Sequence, residues 1–101
     1  MTETRQETGQ ETTITRQDPP RYRVLLHNDH FTTMEFVVDI LETVFHKQPR
    51  EAETIMRHVH ERGVGVCGIY SREIAEARVA LVTRLAREHE FPLLCTMERE
   101  E

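Results

Sequence analysis

Asn28 and Asp29 stand together between an alternating run, Arg21 to His27, and an apolar helical run that opens at Met34. Asn and Asp favour such turns because their side-chain oxygens accept hydrogen bonds from nearby backbone. Thr32, with Glu35 three residues on, reads as the capping box of the helix that follows. His60 closes the apolar face formed by Ala52, Ile55, Met56 and Val59. Met34, Val37, Met56 and Val59 can line a hollow between the first two helices, with the polar turn at its rim. Side-chain acceptors beside an apolar floor suit a ligand with a cationic end and a greasy end. Each feature alone has a structural explanation. Asx turns commonly precede helices, lone histidines often sit satisfied at core edges, and methionines fill gaps. Their conjunction points to binding.

Other chemistries find less support. Six histidines invite a metal, but His58 and His60 lie about 200° apart around a helix and cannot share an ion. His27, Asp29 and His30 have no regular ligand spacing. Cys67 and Cys95 match no metal or redox motif and fall in apolar stretches, as reduced core residues do. No Ser or Cys occupies a nucleophile motif, and no glycine-rich phosphate loop is present. We therefore expect neither an enzyme nor a bound metal or cofactor. A formal net charge of −5 argues against a nucleic-acid partner. No run approaches the ~20 apolar residues of a membrane span, and the first residues lack the apolar core of a secretory signal. The expectation is a cytoplasmic monomer.

The 101 residues suffice for one small domain. Residues 1–20 carry only Met1 and Ile14 as apolar residues before Pro19-Pro20, too few to offset the cost of ordering the backbone. They read as a disordered tail. Residues 21–98 read as the folded domain and 99–101 as a charged end. Arg21 to His27 is a strand with Tyr22, Val24 and Leu26 on one face. A helix is expected over about 33–47. A second, with Pro49 in its first turn, should stop at Gly63. Val64 to Tyr70 is a strand, Ser71 caps a third helix to about His89, and Leu93 to Met97 is a last strand. The third helix is expected to bury Ile74, Ala77, Leu81, Leu85 and Val82. The predicted architecture is α+β: three helices on a three-stranded antiparallel sheet, in two layers and in the order β-α-α-β-α-β.

With these residues assembled, the chain resembles the ClpS family, bacterial adaptors that deliver N-degron substrates to the ClpAP protease. The resemblance covers residues 20–98. It is carried by Tyr22-Arg23-Val24-Leu25-Leu26, Asn28-Asp29, Thr32 to Val37, Met56 through Val59 to His60, Val66 to Tyr70, and Pro92 to Thr96. It implies a peptide ligand beginning with Leu, Phe, Tyr or Trp. The free α-amino group would meet Asn28, Asp29 and His60. The first side chain would enter a pocket of Thr32, Met34, Val37, Met56, Val59 and Leu93. It also implies docking on the N-terminal domain of the ClpA unfoldase through a surface with Glu73 and Arg78, and a tail that aids hand-over. Many members carry a second acidic residue where this chain has His30. One carboxylate beside the ammonium site is therefore absent, and contacts to the ligand's second residue should differ. Two other classes stay open on residues alone. One is a small metal-binding protein using His27, Asp29, His30 and His60. The other is a structural interaction domain, since this order of elements also occurs in ribosomal stalk proteins.

Overall fold

A computed structural model describes residues 2–8, 11–17 and 19–101. The elements are β1 (Thr2–Thr8), β2 (Glu11–Gln17), β3 (Arg21–His27), α1 (Met34–Thr43), α2 (Pro49–Arg62), β4 (Val64–Ser71), α3 (Arg72–Glu88) and β5 (Leu94–Glu100). β1 and β2 lie in the stretch read from sequence as a tail. They pair antiparallel in a sheet of their own that shares no strand with the domain. Two polar strands by themselves are marginal in water.

From Arg21 onward the order is the expected β-α-α-β-α-β. The strands form one antiparallel sheet, β4-β3-β5, with β3 at its centre. Alternation along β3 decides the layering. Val24 and Leu26 are fully buried, while Leu25 on the opposite face is only half-buried. Phe36, Val37, Ile40 and Leu41 of α1, Ala52, Ile55 and Val59 of α2, and Ala75, Val82 and Ala86 of α3 join Val24 and Leu26 in one core. Among the described residues no helix packs on the other face of the sheet. A register shift between Val24 and Leu25 leaves Cys67 of β4 without a partner on β3. Cys67 keeps the alternation of β4, in which Gly65 and Cys67 are buried and Val64 and Val66 exposed, and it and Cys95 are buried free thiols in the core. Burial, helped by the neighbouring Cys95, pushes the Cys67 thiol far above its ordinary range, and burial pushes Cys95 up to about 12. Both therefore behave as small apolar side chains.

Three local expectations are corrected. α1 ends at Thr43, not near Lys47. His46 takes φ 55°, a left-handed conformation that histidine visits more readily than most residues. The Lys47 N–H then turns back to the Leu41 carbonyl at 3.0 Å. α3 buries Ala75, Val82 and Ala86, while Ile74 is 46% exposed and Ala77 is exposed. Small alanines let the helix sit close on the sheet, so the packed stripe is rotated by about one residue from the one that bulk predicts. The third correction, the cap of α1, belongs to the site.

The α3–β5 junction is pinned by aromatic packing. Phe36 of α1 meets Phe91 at 4.8 Å and His89 at 5.1 Å between ring centroids. This locks α1 against the far end of the chain, and with it the loop that precedes α1.

Candidate functional site

The loop after β3 is held from both ends. The Asn28 N–H donates to the Gly63 carbonyl at 2.9 Å. Gly63, at φ 89°, is the left-handed C-cap of α2, and its N–H closes on the Val59 carbonyl at 3.0 Å. The residue after β3 is thus fastened to the turn of α2 that carries His60. Gly65 supplies the next constraint. A Cβ there would lie 2.7 Å from Val59 Cγ2 and 3.2 Å from the Ile55 carbonyl oxygen. Only a glycine lets β4 run this close beneath α2, and the closeness sets the height of Val59 and His60 over the sheet.

Asp29 builds the turn itself. Its Oδ1 accepts from the backbone N–H groups of Phe31 at 2.8 Å and Thr32 at 2.7 Å. Its Oδ2 accepts from the Thr32 hydroxyl at 2.7 Å. Thr32 is therefore a partner of Asp29 and not the helix cap. The N-cap is Thr33, whose hydroxyl accepts from the Phe36 N–H at 3.1 Å. The capping box expected with Glu35 gives way because Asp29 already engages the Thr32 hydroxyl. Partial burial pushes the Asp29 carboxyl up. The hydrogen bonds from Thr32 and Phe31 and the nearby His30 outweigh it, and the carboxyl ends below its ordinary value. Asp29 is held as an anion.

Asn28, Asp29 and His60 stand at the rim of one hollow of about 400 Å³, with Thr32, Met34, Val37, Met56 and Val59 in its wall. Val37 and Val59 are buried and form the floor, Met56 is half-buried, and Met34 is 47% exposed at the mouth. The Asn28 and His60 side chains are exposed, and among the described residues neither is engaged in an internal hydrogen bond. Leu93, also expected here, is not in this wall. It is buried in the core and borders a separate small recess with Phe91 and Pro92. His30, Phe31 and Thr33 line the hollow as well. His30 is legible from its place beside the ammonium site, whereas Phe31 and Thr33 lie in a turn that shows no periodicity and are signalled by adjacency to Asn28-Asp29.

The histidines of the metal reading separate. His30 and His60 belong to this hollow, whereas His27 turns to the open sheet face and meets Thr96 Oγ1 at 2.8 Å. Among the described residues no three His, Cys, Asp or Glu side chains converge on one point. Glu73 and Arg78 lie on α3 and line none of this hollow. Glu73 is exposed. Arg78 is half-buried, its Nε without a partner among the described residues, and its charge acts on Tyr70.

Two free acceptors, one fixed carboxylate and an apolar floor can receive a small group that is cationic at one end and apolar at the other. The fold and hollow together have the build of a small recognition module. The family described as ATP-dependent Clp protease adaptor protein ClpS matches residues 17–96. The ATP-dependent Clp protease adapter protein ClpS of Hyphomonas neptunium is 55% identical over 91 residues, spanning 90% of this chain and 77% of that one. That of Desulforapulum autotrophicum is 58% identical over 82 residues, spanning 81% and 79%. Agrobacterium tumefaciens ClpS2 bound to L-phenylalaninamide superposes with a TM-score of 0.79 at 36% identity, over 82% of this chain and all of that one. This chain belongs to the ClpS family of adaptors of the ATP-dependent Clp protease. No helix among the described residues is long and apolar enough to cross a membrane.

Proposed function

We propose that the hollow holds the first residue of a polypeptide whose α-amino group is free, and that the chain delivers such N-degron proteins to the ClpA unfoldase of ClpAP. The observation that carries this reading is the meeting of Asn28, Asp29 and His60 with Met34, Val37, Met56 and Val59 around one hollow of about 400 Å³. The ligand of the Agrobacterium relative supports it, being an amino acid amide with an apolar side chain. An α-ammonium offers three donors. Asn28 Oδ1, Asp29 and a neutral His60 ring nitrogen accept them. Leu, Phe, Tyr or Trp then fills the apolar part. Glu73 and Arg78 dock on the N-terminal domain of ClpA, and residues 1–20 aid the hand-over. The adaptor works as a cytoplasmic monomer, with no reaction or cofactor of its own.

Magnitudes agree with a transient receptor. Each hydrogen bond to a charged group contributes ~1.5–3 kcal/mol. Burying a Leu or Phe side chain adds ~1.5–3 kcal/mol, and association costs at least ~4 kcal/mol. The balance is at most about 8 kcal/mol, an affinity of micromolar or weaker. Met34 at the mouth crowds the first Cβ, so Ile and Val, branched there, are rejected.

Fluorescence anisotropy tests the reading. A labelled peptide beginning with Leu or Phe is compared with its acetylated form and with the same peptide behind an extra Met. Binding of the free peptide alone is expected. Equal binding of all three, or of none, rejects recognition of the terminus.

A further inference from the structure

The helix-free face of the sheet carries a second and larger depression. It measures about 830 Å³ and lies where the C-terminal turn of α2 meets β3 and β4. Its floor is Leu25, Val64 and Val66, and the last two are 39% and 44% exposed. Outward positions of a half-solvated antiparallel sheet are ordinarily polar. An apolar floor there marks a surface that is covered in use. Arg23, His27, His58 and Arg62 stand around it, and Glu98, the carboxylate among its lining residues, is paired with Arg23 at 3.1 Å. With the histidines neutral, Arg62 is left as the rim's uncompensated cation among the described residues, on a chain of net charge −5.

The groove lies beside the first hollow. His27 lines the groove and Asn28 the hollow, and His58 and His60 divide in the same way on α2. Only the Asn28–Gly63 bond and the last turn of α2 separate the two. An extended chain advances about 3.3 Å per residue, and a helix is about 10 Å across. Roughly three extended residues therefore pass from one to the other.

We infer that the groove is a second binding site for the same polypeptide, which takes a downstream stretch, about residues four to seven of the substrate, that carries an apolar side chain flanked by carboxylates. The inference rests on the proposed recognition of the terminus in the first hollow. It assigns to the helix-free face a selectivity for acidic over basic sequence that the first hollow does not supply.

The test uses the full-length chain and three labelled Leu-first peptides: one of three residues, and two of ten residues with Glu-Phe-Glu or Lys-Phe-Lys at positions five to seven. The acidic ten-residue peptide should bind about three- to tenfold more tightly than the other two. Arg62→Glu and Val66→Ser should each remove that gain while leaving the three-residue peptide and the melting temperature unchanged. Equal affinity of the two long peptides, or a gain that survives both substitutions, overturns the inference. A loss that appears only in binding to ClpA overturns it too, assigning the groove to the unfoldase. Failure of the three-residue peptide to bind defeats the underlying reading, and the inference with it.

Discussion

The two sides of the hollow are built differently. On the β3–α1 side, Asp29 spends three hydrogen bonds on its own loop and stays a fixed anion. On the α2 side, His60 is exposed and, among the described residues, held by no internal hydrogen bond. One side is prepared before any ligand arrives, while the other is free to turn toward it. The contrast separates two tasks that a list of site residues merges. Asp29 shapes the loop and sets its charge, whereas Asn28 and His60 keep acceptors unspent. Substitutions on the two sides should therefore fail in different ways.

Asp29→Ala should have the largest effect. It removes the anion and releases Phe31 and Thr32 together. A loss of about 1–2 kcal/mol in stability is expected, as for deletion of a helix cap, and binding of a Leu-first peptide should fall about 100-fold or more. Urea denaturation and anisotropy measure both. A stable Asp29→Ala protein with intact binding would dissolve the contrast.

His60→Ala should weaken binding about tenfold, one hydrogen bond to a charged group, with no change in melting temperature. Asn28→Ala should do the same, since its structural bond to Gly63 uses the backbone.

Met34→Ala should act on selectivity. It opens the mouth at the first Cβ, so the Leu-over-Ile ratio should drop several-fold while Leu-first affinity falls only slightly. An unchanged ratio would place the restriction elsewhere.

The smallest effect lies in stability against acid. The Asp29 carboxyl titrates below its ordinary value of 3.8 when folded. Its contribution is therefore complete above that value and is lost as pH falls through the lower, folded one. The stability difference between wild type and Asp29→Asn should shrink as pH falls below the ordinary carboxyl value and through the lower, folded one. A constant difference would mean that the turn needs the shape of the side chain and not its charge.

Much of this was legible beforehand for physical reasons. Alternation along Arg21–His27, the helical period after Met34, Pro49 at a helix start and Gly63 at its end are short-range signals, each satisfied by neighbours in sequence. So was the turn at Asp29, whose side-chain hydrogen bonds span at most three residues. The misplacements came from competition and packing. Thr32 and Thr33 are both competent caps, and Asp29 decided between them by engaging Thr32. α3 turned Ala75 and Ala86 inward because closeness to the sheet outweighed bulk. Leu93 went to the core because Phe91, two residues before it, packs on Phe36 and draws the α3–β5 connection inward.

By itself the sequence determined the elements from Arg21 onward, their order and the chemistry of each rim residue, because these follow from local propensity and side-chain type. Only the tertiary structure decided that Asn28 and His60 share one hollow while His27 and His58 share another. That partition depends on the bond from Asn28 to Gly63 and on the close passage of Gly65 under Val59. Both join segments more than 30 residues apart or in separate layers, and no period along the chain records them.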